Sequence, residues 1–557
     1  MNFIKRLKKL KTGTDNLQAS LIDNDLFIYF LLVLTILFVF IARLHLLSFP
    51  FERDEGEYAY MGKLILDGHP PYTLAYNMKL PGTYFMYAFM MAIFGKSIVG
   101  VHLGVTFMIL ASMLLVFLIT KKIVSKTGAV IATATYGILG TSWTLLAQAA
   151  HATHFVVFFT LVGTYILLQL YDNNKNSLLK YFLAGFFFSL AFICKQSGVF
   201  FTLFGATIII VNEYKDTRLK KLIKNLILYS SGFAVPILLM LLYFYLFGDF
   251  NKFWFWTVRY LSKYSAQVPL SQALPMLKKG ITSITADFKP VGYTALWILS
   301  LIGIPFILFR KNTHQNKIIL LSFYLFAFLT VVPGFYFRRH YFITLLPVTG
   351  MTLAVFFDYF NDLFINKLKK PWLVYITLLL FIVITGSGVL ANKDYLFRRD
   401  PKISCKQVYG SNPFVESPEI AEFIRQNTTE NDKIAVLGSE PQIYFYADRY
   451  PATGYIYMYN LMELHSYALS MQKEMIREIE TNQPAYIIFV NVGMSWLPRP
   501  DSEKFILKWA NGFIGKNYKL AGFMDVFPDR VSSLKVGEAL NKYKPQSNEI
   551  IYIYKRN

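Results

Sequence analysis

The chain has 557 residues, of which 55% are hydrophobic, 17% aromatic and 16% charged, with a formal net charge of +22. It is too apolar and too charge-poor for an ordinary soluble protein, and long enough for several hundred residues of membrane domain beside a soluble one. Its basic residues fall in short segments between apolar runs, the pattern of topology signals, which sets nucleic acid aside as a partner; two cysteines, Cys194 in an apolar run and Cys405 in the polar tail, set aside a disulfide scaffold and a thiolate metal site.

The N-terminal MNFIKRLKKLKTG is basic, and the apolar run behind it is long enough for an uncleaved first helix. Runs able to span a bilayer occur near residues 27–48, 98–120, 128–148, 152–171, 180–194, 198–212, 226–247, 291–309, 318–335, 341–357 and 372–391, the fifth and sixth being short. The sequence thus predicts a polytopic α-helical membrane protein with about 11 transmembrane helices. Lys5-Arg6, Lys8-Lys9, Lys121-Lys122, Lys220-Lys221, Arg310-Lys311 and Lys369-Lys370 fall in alternate connecting segments. The positive-inside rule then puts the N-terminus in the cytoplasm, and an odd number of spans puts the tail outside. The expected location is the plasma (inner) membrane, with the loops 51–82 and 248–290 and the tail sharing its outer face.

The loop 51–82 interrupts this apolar chain with acids, aromatics and prolines. Glu52, Asp54, Glu55 and Glu57 follow the first run directly, and Lys79, Pro81 and Gly82 precede a further apolar stretch that returns the chain to the lipid. A carboxylate at a bilayer surface needs a partner or a task. The second loop, with Phe253, Trp254, Phe255 and Trp256 beside Arg259 and Lys263, reads as interfacial helices with rings at headgroup depth. Together the two loops predict a lid over a lipid-entry site, with Tyr58, Trp254, Trp256 and Arg259 as contacts for lipid or acceptor.

After Asn392 the composition becomes soluble. Helical patterns at 417–428, with Ser417 as N-cap, and at 460–480 alternate with strand-like KIAVLG, AYIIFV, KLAGFMDV and EIIYIY. That alternation predicts a small extracytoplasmic α/β domain over 395–557, following a membrane domain over 1–394.

The Asp54-Glu55 pair after the first span, Tyr58-Ala59 behind it, and Lys79-Leu80-Pro81-Gly82 before the next apolar run resemble the polyprenyl-phosphate-sugar-dependent glycosyltransferases of the C superfamily (GT-C), in particular the bacterial branch of the protein mannosyltransferase family that includes the lipid A aminoarabinose transferases. That branch usually has Lys-Pro-Pro-Leu where this chain has Lys79-Leu80-Pro81-Gly82. Lys195 ends a run similar to the family's Leu-Ala-Phe-Leu-x-Lys, and Arg338 or Arg339 near Tyr341, with Pro347 beyond, resembles its Arg-Tyr element. Leu437-Gly438, Pro441 and Ala447-Asp448-Arg449-Tyr450-Pro451-Ala452 resemble the tail of many bacterial members. The resemblance implies a glycosyltransferase that moves one sugar, with inversion, from a polyprenyl phosphate to an extracytoplasmic lipid, glycan or protein.

Such a transfer releases a phosphate, a leaving group that needs no general acid. It requires a base for the acceptor and positive charge around the phosphate. Asp54 is the expected base, with Glu55 as an orienting partner or, with Asp54, a divalent-metal ligand. Lys79, Lys195, Arg338 and Arg339 are the expected phosphate contacts; a lone ammonium at Lys195, between two apolar runs, is costly without an anion. Lys79 reads equally well as a snorkelling side chain. His151 and His154 share a helix face and offer a metal site, although interfacial hydrogen bonding is the commoner use of such a pair.

Walker A, GxGxxG and GxSxG patterns are absent, as is the Trp-Trp-Asp-Tyr-Gly signature of oligosaccharyl transfer. Two rivals stay open: a transporter or flippase of lipid-linked sugars, and a polymerase or ligase of surface polysaccharide.

Overall fold

The computed structural model describes residues 25–170, 178–213, 219–285, 292–310 and 313–557. The basic N-terminal segment, parts of the connections near 172–179 and 213–225, Lys311 and the end of the second loop lie outside the described residues. The longer helices before Asn392 are α1 (Asp25–His45), α2 (Arg53–Leu66), α3 (Gly82–Phe94), α4 (Ile98–Ile123), α5 (Lys126–Leu139), α6 (Ala152–Leu168), α7 (Leu178–Cys194), α8 (Val199–Glu213), α9 (Leu219–Phe247), α10 (Ala273–Ile284), α11 (Tyr293–Phe309), α12 (His314–Leu329), α13 (Leu346–Asp362) and α14 (Leu373–Ala391); the tail adds Ser417–Gln426, Ala468–Asn482 and Phe505–Asn517. Six segments among the described residues are long and apolar enough to cross a membrane: Asp25–His45, Ile98–Ile123, Gln196–Glu213, Leu219–Phe247, Arg339–Lys367 and Leu373–Ala391. Shorter apolar helices include α3, α6, α7 and α11.

Polar contacts sort the helix ends into two faces. At one face Lys126 pairs with Asp25 at 2.7 Å, Lys221 with Glu213 at 2.9 Å and Arg310 with Asp358, while Asn316 Nδ2 donates to the Ile123 carbonyl. At the other lie the end of α1, α2, the α7–α8 break at Lys195 and the segment from Thr330 to Leu345.

Several expected spans are cut short, and each cut falls on the second face. α5 ends at Leu139, and Gly140–His151 forms a loop containing a 3-10 turn at Trp143–Leu145. A buried arginine in α1 fixes that loop: Arg43 Nε donates to Thr106 Oγ1, and its two terminal nitrogens donate to the carbonyls of Ala147 and Gln148 at 3.0 and 3.1 Å. α12 stops at Leu329, and the chain then turns through Gly334, Phe335 and Phe337, all at positive φ. Aromatic residues rarely hold that conformation, and its cost has to be carried by the surrounding packing. α3 starts where Thr83 Oγ1 donates to the Cys194 carbonyl and is followed by Lys96, which pairs with Asp67 at 2.8 Å, so both ends lie at the second face.

The second loop is helical, but its rings do not all lie in headgroups. Phe250–Trp254, a π-helical turn at Phe255–Tyr260 and Leu261–Ser265 follow without a break. Phe253, Trp256 and Tyr260 are buried, Trp256 stacking on Tyr76 with centroids 6.0 Å apart. Trp254 and Arg259 face outward. The π turn adds a residue to the helical repeat and so changes which side chains face inward.

The tail folds as a six-stranded mixed sheet in the order β2-β1-β3-β6-β4-β5, with β1 Lys433–Leu437, β2 Tyr450–Pro451, β3 Tyr486–Asn491, β4 Tyr518–Asp525, β5 Lys535–Val536 and β6 Ile550–Arg556. β1 pairs in parallel with β2 and β3, whereas β6 runs antiparallel to β3 and β4. The strand-like stretches of the sequence coincide with β1, β3, β4 and β6, whose apolar runs suit strands covered on both faces. Two details differ from expectation. Ser417 is the first residue of its helix, with Glu416 before it as cap, and its hydroxyl donates to the Pro413 carbonyl. The helix expected at 460–480 is a single turn at Tyr459–Met462, then a break, then Ala468–Asn482.

The sheet region sits directly on α2. Arg53 donates to the Ser439 carbonyl at 2.6 Å, to Tyr459 OH at 2.6 Å and to Glu440 Oε1 at 3.0 Å, while Tyr60 OH donates to the Arg449 carbonyl and the Tyr76 amide to Gly454. Gly56 permits this approach, because a Cβ there would lie 2.7 Å from Gln442.

Candidate active site

α2 begins with Glu52 as its cap, its side chain accepting from the Glu55 amide, and this projects Asp54 from the first turn. Lys79 reaches back from the end of the same loop: its ammonium lies 3.2 Å from Asp54 Oδ1 and 3.6 Å from Glu57 Oε2. Tyr457, from the sheet region, donates to Asp54 Oδ1 at 3.3 Å. Burial alone would push the Asp54 carboxyl up, but Lys79 foremost, with Arg338 also contributing, outweighs it and holds the group at about 2. Glu57 lies deeper, accepting from Tyr84 OH at 2.8 Å, and burial pushes its carboxyl up to about 7.

Two cavities share Asp54, His151, Arg338, His340, Tyr457 and Tyr459 as a common wall. The smaller, about 200 Å³, also takes in Tyr58, Lys79, Lys195, Tyr341 and, from the second loop, Tyr260 and Tyr264. The larger, about 510 Å³, opens toward Arg53, Lys279 and Arg339. Lys195 occupies the break between α7 and α8 with its ammonium 3.5 Å from the centre of the Tyr341 ring, a cation–π contact in place of an anion. Burial, then Lys79, lowers its pKa to about 7.

The structure therefore brings Asp54, Tyr58, Lys79, Lys195 and Arg338 together around one space. Arg339 lines the larger cavity and not the smaller. Glu55 is turned away from both: its Oε1 accepts from the Ala150 amide at 2.6 Å and from His102 Nε2 at 3.0 Å, so it ties α2 to the 140–151 loop and is not placed to hold a metal with Asp54. His154 is likewise occupied, with Nε2 against the Ala147 carbonyl at 3.2 Å. His151 stacks instead on His340, ring centroids 4.2 Å apart, and the ligand atoms of Asp54, His151 and His340 lie within 4.8 Å of one another. Among the described residues both ring nitrogens of His151 are buried without a hydrogen-bond partner, the nearest carboxylate to Nδ1 being Glu52 at 3.8 Å, and burial holds the ring neutral, with its pKa down at about 4. An unsatisfied neutral imidazole beside a second imidazole and a carboxylate fits a divalent cation. Helical spacing suggested His154 as the partner of His151; the ring that His151 meets, His340, lies far along the chain, where periodicity gives no signal. Tyr457, Tyr459, Asn460 and Glu463 were equally illegible, being aromatic and polar residues in a tail whose docking has no local signature.

Residues 78–244 match the family model described as dolichyl-phosphate-mannose-protein mannosyltransferase, a range containing Lys79, His151 and Lys195. No curated protein matches the chain. Among solved structures, ArnT from Cupriavidus metallidurans bound to undecaprenyl phosphate aligns with a TM-score of 0.56 at 12% identity, covering 93% of this chain and 99% of that one. The chain has the GT-C fold. A further GT-C structure, the oligosaccharyltransferase AglB from Archaeoglobus fulgidus in complex with an inhibitory peptide and a dolichol-phosphate, aligns at TM-score 0.52 and 13% identity, covering 92% of this chain and 74% of that one. At such identities the likeness is one of fold, and the chemistry of this chain has to be read from its own residues.

Proposed function

We propose that this protein is an inverting glycosyltransferase that takes a single sugar from a polyprenyl-phosphate donor and places it on an acceptor outside the cytoplasm. One observation carries the reading: Asp54 and the cations Lys79, Lys195 and Arg338, drawn from three separate parts of the chain, line one cavity. The donor phosphate sits among the three cations, which neutralise the charge that grows as the glycosidic bond breaks. The acceptor enters through the larger cavity, and its hydroxyl is oriented by Asp54 and attacks the anomeric carbon from the side opposite the phosphate.

An aspartate held at about 2 is a weak proton acceptor. Its partner Lys79 is also a phosphate ligand, so donor binding draws the ammonium from the carboxylate and raises its basicity when the acceptor hydroxyl must lose its proton. Asp54, His151 and His340 are the residues that would hold a divalent cation, which would supply further positive charge beside the phosphate.

The clustering of these charges at one end of the bundle favours transfer over transport, which would place charge mid-membrane in broken helices. The topology follows the sequence: about 11 spans, a cytoplasmic N-terminus, a membrane domain over 1–394 and an extracytoplasmic domain over 395–557, in the plasma membrane. The test is Asp54→Asn in membranes supplied with labelled undecaprenyl-phosphate sugars and the host's envelope acceptors. Transfer should fall about a hundredfold or more; undiminished product would refute the assignment.

A further inference from the structure

Asp54 and Glu463 are the two carboxylates lining the smaller cavity among the described residues, and their settings differ. Asp54 is compensated by Lys79. Glu463 has no cation at ion-pair distance among the described residues. Its Oε2 accepts from Tyr260 OH at 2.5 Å, a hydroxyl on the buried inner face of the π-helical turn. Its Oε1 accepts no hydrogen bond among the described residues. Burial first, against the Tyr260 hydrogen bond, pushes the carboxyl up to about 7, so near neutrality the group can accept or donate a hydrogen bond.

One helical turn earlier, Asn460 lines the same cavity with its Oδ1 buried and unpartnered among the described residues. A buried acceptor without a donor is costly and rare, and Asn460 Oδ1 beside the part-buried Glu463 carboxylate calls for a ligand rich in O–H or N–H groups. The segment is held rigidly: Gln267 Nε2 donates to the Leu464 carbonyl at 2.9 Å, Arg499 donates to Gln267 Oε1 at 3.0 Å, and His465 Nε2 lies 2.8 Å from the Asn460 carbonyl. The cations Lys79, Lys195 and Arg338 suit the phosphate, whereas the Glu463 carboxylate would repel it and, with the unpartnered Asn460 Oδ1, suits the hydroxyl groups that the phosphate carries.

We propose that Glu463, assisted by Asn460 and held by Tyr260, reads the hydroxyl groups of the sugar on the lipid-linked donor and so determines which sugar is accepted. This rests on the donor reading above. It gives the sheet region a specific task, supplying the face of the site that discriminates among sugars. Tyr260 is then a positioning residue that acts through Glu463.

The experiment uses the full chain in lipid nanodiscs, with undecaprenyl phosphate as the sugarless probe and undecaprenyl-phosphate mannose, glucose and galactose as the sugar-bearing ones. Wild-type protein should bind one sugar-bearing lipid more tightly than the others and than undecaprenyl phosphate. Glu463→Gln should weaken that preferred lipid about tenfold, the scale of one hydrogen bond to a charged group, while leaving undecaprenyl phosphate unchanged; Tyr260→Phe should do the same to a smaller degree. Lys195→Ala should weaken all four probes together. Unchanged affinity for the sugarless probe doubles as the folding control. Equal loss on all probes in Glu463→Gln, no loss on any, or a wild-type protein that does not discriminate among the four, overturns the proposal while the donor reading stands. Failure of the wild type to bind any of the four overturns both.

Discussion

The Lys79 ammonium lies 3.2 Å from Asp54 Oδ1, joining the two ends of the loop that opens and closes around α2. Replacing Lys79 by Gln removes the main force holding the carboxyl at about 2, while burial continues to push it up. Asp54 should then stay protonated to higher pH. The acidic limb of the pH–rate profile should move upward, and the maximal rate should fall about tenfold or more through loss of a phosphate contact. A pH–rate series on the two proteins checks both.

Lys195 gives a second pH signature. Because burial and Lys79 lower it to about 7, it is largely neutral at about pH 8 in the free protein and charged at about pH 6. A bound phosphate favours the charged form, so donor-lipid binding should take up a proton at the higher pH and almost none at the lower. Calorimetry of undecaprenyl phosphate binding in buffers of different ionisation enthalpy measures that uptake, and Lys195→Ala should abolish it.

Metal content separates the observed histidine arrangement from the one suggested by helical spacing. His151→Ala and His340→Ala should each lose a bound divalent ion, as measured by mass spectrometry of the metal in purified protein. His154→Ala and Glu55→Gln should retain it, and treatment with a chelator should lower activity in the wild type.

Glu55 should matter for stability and not for chemistry. Truncation to Ala leaves the Ala150 amide and the His102 ring unsatisfied in a buried setting. The expected loss is about 2–5 kcal/mol, seen as a lower melting temperature of the detergent-solubilised protein, with Glu55→Gln recovering part of it.

What the sequence disclosed followed from local physics. Apolar runs located the helices of the bundle, period and turn residues located β1, β3, β4 and β6, and the cost of a lone ammonium at Lys195 marked a residue that does line the site. The misses are contacts made over long sequence distances. Glu55 is adjacent to Asp54 in sequence, yet helical geometry points the two to different sides. His340 meets His151 across about 190 residues, and Trp256, which read as a headgroup anchor, is buried because the π turn and the sheet region cover it. Arg43 carried a usable signal: a charge near the end of an apolar span is costly, and here it is satisfied by the loop that presents His151.

On the proposed function, two chambers with Asp54 in their shared wall give each reactant its own door. A lipid carrier can settle from one side while the molecule to be decorated approaches from the other, and neither has to leave before its counterpart arrives. Initial-rate plots should therefore intersect, as for an obligatory ternary complex, and a parallel pattern with sugar stored on the protein between half-reactions would be foreign to this architecture.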